Sequence, residues 1–233
     1  MTSDTGRYAI YFAPEPGSEL AQFGAAWLGY DVATGSDLVQ SPIAGIAPER
    51  LRAITTEPRR YGFHATLKPP FALAEGTDAG MVNQAVAALA RDLPAFAAPR
   101  LKLASLLGFW ALMLAEPCPE MDRLAAICVG ELDRFRAPPP VAELARRRIA
   151  GLSPAQEALL VRWGYPYVMD EFRFHMTLTA RLGAEEGGVV SRALAPLVAP
   201  HCQAPLPVNT ISLFRQESRD KPFRLMRRYV LAG

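Results

Sequence analysis

The pentapeptide Phe63-His64-Ala65-Thr66-Leu67 returns as Phe174-His175-Met176-Thr177-Leu178, so F-H-x-T-L is written twice in a chain with only three histidines. Chance places Thr two residues after two of three histidines on the order of 0.5% of the time, before the matching Phe and Leu are counted. Side chains alternate across a strand. One face of the first motif then carries Phe63, Ala65 and Leu67, and the other carries Gly62, His64, Thr66 and Lys68. In the second motif Phe174, Met176 and Leu178 share one face, and Arg173, His175, Thr177 and Thr179 share the other. A row of His, Thr and a cation is costly on a dry surface. Both polar faces are therefore expected to line one wet groove.

The surroundings of the two motifs repeat as well. Residues 61–115 read as a motif strand, a helix and two further strands, and residues 172–231 read in the same order. Two copies of a β-α-β-β unit around a helical insert (116–165) predict one globule of 233 residues with two similar lobes. The first motif strand is expected over 61–68, ended by Pro69 and Pro70, and the second over 172–180. Ser18 and the Ser153-Pro154-Ala155-Gln156 box mark helix starts. Pro48 opens a short helix that Pro58 is expected to stop. Residues 31–46 read as loop. Gly108 turns a hairpin between 100–107 and 109–115.

Two imidazoles facing one groove suit general acid–base chemistry near neutral pH: one removes a proton and the other supplies one. Thr66 and Thr177 can donate hydrogen bonds to oxygens that gain charge. Lys68 and Arg173 can add positive potential. These parts suit a phosphodiester, whose cleavage needs one proton taken and one given. Tyr61 and Tyr167 are the preferred candidates for stacking on a base or sugar, although Tyr8, Tyr11 and Tyr165 are also available. Arg59 and Arg60 are placed to meet a second phosphate or to form a solvated turn. Arg146-Arg147-Arg148 reads as a solvated helix face, and His201 as structural.

Other classes lack their signatures. GxGxxG, GxxxxGK and GxSxG are absent, which disfavours nucleoside triphosphate hydrolysis and serine esterase chemistry. No third ligand with familiar spacing accompanies the histidines, so neither a metal nor another cofactor is expected. Cys118, Cys128 and Cys202 have no CxxC spacing and read as reduced thiols of a cytoplasmic protein. Residues 1–7 are polar and do not read as a secretory leader. The run 103–115 is too short to span a bilayer, so no membrane partner is expected. A formal charge of +2 leaves nucleic acid neither favoured nor excluded.

The stretches YGFHATLKPPF and EFRFHMTLT, with HxT in each half, resemble the two-histidine phosphoesterase superfamily, including its LigT-like, 2′-5′ RNA ligase-like members. They are most similar to a branch associated with phosphonate metabolism. The resemblance runs from YAIYFAP to the closing LFRQES…PFRLMRRYVL hairpin. It implies a bilobal, pseudo-two-fold α+β fold with antiparallel sheets around a central groove. It also implies metal-independent chemistry at a cyclic phosphate or a 2′-5′ linkage, with His64 and His175 catalytic and Thr66 and Thr177 binding phosphate. The expected partner is a small phosphorylated substrate, with no obligatory protein partner. RNA-end processing is the alternative, and a nucleotide- or RNA-binding module without turnover is a third. The motif leaves open which histidine is base and which is acid.

Overall fold

The computed structural model describes residues 6–149 and 151–232. The chain runs through β1 (Arg7–Phe12), α1 (Glu19–Leu28), the small hairpin β2 (Tyr30–Asp31) and β3 (Ser36–Asp37), α2 (Pro48–Arg59) and β4 (Ala65–Phe71). It continues with α3 (Ala79–Asp92), β5 (Phe96–Ala98), β6 (Leu101–Leu106), β7 (Phe109–Leu114), α4 (Pro119–Glu131), α5 (Val141–Arg148) and α6 (Pro154–Trp163). It ends with β8 (His175–Thr177), α7 (Ala184–Val198), β9 (Leu206–Val208), β10 (Thr210–Gln216) and β11 (Arg224–Val230). The fold is α+β. Local chemistry sets several helix starts: Ser18 caps α1, Asp78 caps α3, and Ser153 with Gln156 forms the expected reciprocal capping box of α6. No helix among the described residues is long and apolar enough to cross a membrane.

Seven strands form one sheet in the order β11-β10-β1-β4-β8-β7-β6, with every pairing antiparallel. The two motif strands, β4 and β8, are neighbours at its centre, paired at Ala65–Met176. The hairpin that follows the first motif, β6–β7, pairs with the second motif strand, while β10–β11 lies on the far side of β1. The halves therefore interlock. β5 pairs with β9, which ties them a second time.

One face of the sheet carries the main core. Tyr8, Ile10 and Phe12 of β1 pack there with Trp27 and Leu28 of α1, Leu51 and Ile54 of α2, Val82 and Val86 of α3, and Val190 and Leu194 of α7. Ala9, Tyr11 and Ala13 point to the opposite face, with Phe214 and Phe223. Helix α1 holds both motifs from below. The Trp27 indole N–H donates to the Leu178 carbonyl at 2.8 Å. Gly24 lies flat against Phe63: a Cβ at that position would sit 2.0 Å from the ring.

Four local expectations are corrected, each by tertiary contacts. Residues 31–46 include the β2–β3 hairpin. Pro58 does not stop α2, which runs on to Arg59. A helical proline removes the bond to the carbonyl four residues back, and that carbonyl, of Ile54, instead accepts from Ala180 N–H at 2.6 Å. Pro69 and Pro70 do not end β4 either. They stand opposite Ala9 where the register shifts between Tyr8–Phe71 and Ile10–Lys68, a bulge that tolerates missing donors. The second motif strand is only three residues long, because the Leu178 and Thr179 amides turn to the Trp110 carbonyl (2.8 and 3.3 Å).

The fifth correction concerns Lys68. Tyr11 faces Thr66 and Ile10 faces Lys68, so Leu67 is the extra residue of a second bulge. Leu67 and Lys68 then share the core face, and strict alternation fails. Lys68 is 2% exposed. Its Nζ donates to the Val129 carbonyl (3.0 Å) and to Asp133 (3.3 Å), not toward His64. Burial holds its pKa down to about 8, opposed by Asp133.

Two stability measurements follow. Gly24→Ala forces Phe63 aside and should lower stability by about 1–3 kcal/mol in urea titration; an unchanged midpoint would mean that α1 does not seat the first motif. Lys68→Met removes a buried cation while Asp133 keeps its 2.7 Å bond from Arg136. Its midpoint should fall by no more than about 1–2 kcal/mol, because Arg136 still compensates the Asp133 carboxylate that removal of one partner would otherwise leave buried and unpaired. A loss of several kcal/mol would instead make the Lys68–Asp133 pair a main tie between β4 and the segment after α4.

Candidate functional site

The Ala65–Met176 pairing decides what lies beside each histidine. Both residues occupy the x position of F-H-x-T-L. Continued one residue either way, an antiparallel register turns His64, Thr66, His175 and Thr177 to the same face, opposite the main core. A local pseudo-two-fold axis passes between the two x residues.

The imidazoles are held in the same way. His64 Nδ1 lies 2.9 Å from the carbonyl of Gly62 and His175 Nδ1 lies 2.7 Å from that of Arg173, each two residues upstream. A carbonyl only accepts, so Nδ1 carries the proton in both rings and each Nε2 is left with a lone pair. His64 Nε2 is 3.2 Å from Thr66 Oγ1, whose hydroxyl donates to it. Gly62 is needed for this turn. It sits at φ +74°, and a Cβ there would lie 1.7 Å from a Val32 methyl carbon.

Burial sets the electrostatics. It pushes the His64 pKa down to about 4, with His175 adding to the effect and the Gly62 carbonyl opposing it. Burial also lowers His175, against its bond to the Arg173 carbonyl. Both rings are therefore neutral at pH 7 in the free protein. Tyr11 stacks on His64 with ring centroids 3.7 Å apart and 27° between planes. Phe109 packs 5.6 Å from His175.

The two histidines open onto shared space. A cavity of about 310 Å³ is lined by His64, Thr66, His175 and Thr177 together with Tyr11, Tyr61 and Arg7. Its remaining wall includes Tyr165, Arg146 and Arg147. A wider cavity of about 620 Å³ also touches His64, His175, Thr177 and Tyr61, and adds Arg60 and Arg181. A third, about 420 Å³, meets Thr66 and His175 from the side of α4 and α6.

Of the residues singled out in the sequence, His64, His175, Thr66, Thr177 and Tyr61 come together. Lys68 does not, for the reason given above. Arg173 is exposed and lines the third cavity, its Nη1 donating to the carbonyls of Asp170 and Phe172 (3.0 and 2.6 Å). Tyr167 lines the same third cavity and packs edge-on against Tyr165 at 5.7 Å, away from His64. Arg59 pairs with Asp37 rather than facing the histidines. Sequence reasoning missed Arg7 and read Arg147 as a solvated face. Arg7 opens the strand β1, and only the pairing of β1 with β4 brings it to the groove. Among the described residues, no group of three or more His, Cys, Asp or Glu side chains converges as a metal site.

Comparison with known proteins adds the following. The chain is 38% identical over 231 residues to the ribose 1,5-bisphosphate phosphokinase PhnN of Janthinobacterium sp. (strain Marseille), covering 97% of this chain and 51% of that protein. It is 36% identical over 222 residues to the protein of the same name from Laribacter hongkongensis (strain HLHK9), covering 95% and 51%. The chain thus spans about half the length of these curated relatives. Similar solved structures include a phosphoesterase (12% identity, TM-score 0.46, covering 97% of this chain and 99% of that one). Another is E. coli LigT complexed with 3′-AMP (11% identity, TM-score 0.46, covering 98% and 99%). A family profile described as "Protein of unknown function (DUF1045)" matches residues 66–224. With that match spanning well over half of the sequence, the chain belongs to the DUF1045 family.

Proposed function

We propose that this protein is a metal-independent phosphodiesterase that opens a small cyclic phosphodiester, a ribose or nucleotide cyclic phosphate, by His/His acid–base catalysis. The observation that carries the reading is the meeting of the two motifs: two imidazoles, each with Nδ1 on a backbone carbonyl, line one cavity together with both threonines. The repeated F-H-x-T-L and its resemblance to the two-histidine phosphoesterases support the same chemistry. The ribose in the relatives' name supports a ribose phosphate substrate, and a place in phosphonate breakdown rests on the resemblance. The phosphokinase activity in that name belongs to proteins about twice as long, and this chain has no GxxxxGK phosphate loop.

In this mechanism water is the nucleophile. His64, whose pKa burial holds down to about 4, takes a proton from it through Nε2 as the oxygen attacks phosphorus. The ring P–O bond breaks, and the departing oxygen takes a proton from His175. The anionic substrate favours the imidazolium of His175, and Thr66 and Thr177 donate to the non-bridging oxygens. The product is a phosphate monoester with a free hydroxyl; solvent returns the two histidines to their starting forms.

The pH dependence has a definite sign. The acid must be protonated, and His175 titrates below the ordinary 6.5 in the free protein. kcat/KM should therefore fall with rising pH above about 6.5, approaching tenfold per unit. It should also fall on the acid side as His64 gains a proton near pH 4. A rate that stays flat to pH 8 would remove His175 as the donor.

A panel of cyclic phosphates assayed in EDTA tests the reading as a whole. Hydrolysis should persist with the chelator and vanish in both His64→Ala and His175→Ala. A p-nitrophenyl ester, whose leaving group needs no proton, should restore turnover to His175→Ala but not to His64→Ala. Thr66→Ala or Thr177→Ala should cost on the order of 10²-fold in kcat. Tight nucleotide binding without turnover would favour a binding module instead.

A further inference from the structure

We propose that the cavity between the motifs carries a second anion subsite, built by Arg7 and Arg147, so that the substrate is a sugar cyclic phosphodiester bearing a second, terminal phosphate monoester. This deepens the phosphodiesterase reading and rests on it. The lining of the 310 Å³ cavity combines two kinds of group. The two imidazoles and two hydroxyls carry no fixed charge and suit a singly charged diester. Arg7, which β1 sets four residues from the Tyr11 stacked on His64, lines the same cavity with Arg146 and Arg147, and among the described residues no carboxylate does.

The guanidiniums are fixed in place and poorly neutralised. Arg7 donates from Nε to Gln216 Oε1 at 2.9 Å, an uncharged acceptor, and lies 5.5 Å from the Phe223 ring centre. Arg147 lies 4.6 Å over the Tyr165 ring and donates from Nη2 to Glu143 at 2.7 Å. Glu143 is divided, accepting also from Arg219 at 2.8 Å. A phosphoryl oxygen in the cavity would meet the Arg7 and Arg147 side chains that line it, and planar guanidinium forks match a phosphate dianion.

The size of the cavity points to a small molecule. At about 310 Å³ it sits at the low end of the roughly 300–1,000 Å³ usual for small-ligand sites. Arg147 and Tyr165 come from the helical insert and Arg7 from β1, so the subsite draws on chain segments outside both repeats.

The experiment compares a pentose 1,2-cyclic phosphate with and without a monoester on carbon 5. Wild type should prefer the bisphosphorylated compound by about 100-fold or more in kcat/KM, the scale of two charge-assisted hydrogen bonds. Arg7→Gln and Arg147→Gln should each shrink that ratio at least tenfold, and Arg147→Lys should shrink it less. A ratio near one in wild type, or a ratio unchanged in the arginine variants, overturns the subsite. So does faster hydrolysis of an oligonucleotide ending in a 2′,3′-cyclic phosphate, which would make RNA the ligand. If neither sugar is hydrolysed, the phosphodiesterase reading fails and the subsite is judged by binding. Calorimetric binding of ribose 5-phosphate that survives His64→Ala and disappears in Arg7→Gln would sustain it, and no binding to wild type would sink it. Thermal melts of each variant separate loss of the site from loss of the fold.

Discussion

The short antiparallel junction of β4 and β8 governs the rest of the molecule. It pairs Ala65 with Met176, the two middle residues of a repeated pentapeptide. Any other register would move the polar set of one motif away from that of the other, since a one-residue slip turns every side chain to the opposite face. So brief a pairing cannot hold its own register. The apolar residues of the motifs do that work: Phe63 sits on Gly24, Phe174 packs 5.7 Å from Phe12, and the Leu178 carbonyl is held by Trp27. The pattern shared by the two copies of F-H-x-T-L thus divides its labour, with Phe and Leu gripping the helical layer and His and Thr presented on the other side.

The site also shows how burial shapes chemistry without any nearby acid. Among the described residues no carboxylate orients either imidazole; a backbone carbonyl two residues upstream does so in both motifs. A carbonyl fixes the tautomer but adds little negative charge, so desolvation prevails and both rings lose basicity. The same balance sets Lys68, which is buried against Asp133 and held at a lowered pKa. Positive charge is instead supplied across the cavity by arginines, which desolvation cannot readily neutralise.

Interlocked connectivity explains why one cavity gathers residues from so many segments. The first repeat's hairpin completes the sheet beside the second motif, and β1 inserts beside the first. Arg7 and Tyr11 enter with β1, while Arg147 and Tyr165 come from the insert. Pro58 contributes in a similar way, since the carbonyl it frees in α2 accepts from Ala180 just past the second motif.

Much of this was legible in the residues alone. The paired motif named both histidines and both threonines. Period and capping signals located α1, α3 and α6, because those signals are local and depend on side chains within one turn of the helix end. The α+β class came with the resemblance to the two-histidine phosphoesterases, and the order of elements gave the repeated β-α-β-β unit. Three things only the tertiary structure decided. Lys68 left the groove because a bulge against β1 turned it to the core, and a bulge depends on a partner strand that alternation along one strand does not contain. Arg173 and Tyr167 line the third cavity, which meets His175 from the side of α4 and α6, because the segment before β8 packs there and the Asp170 and Phe172 carbonyls hold the Arg173 guanidinium. Arg7 and Arg147 came to the histidines because sheet order and the packing of an insert bring together residues far apart in sequence, and no local pattern encodes such a meeting.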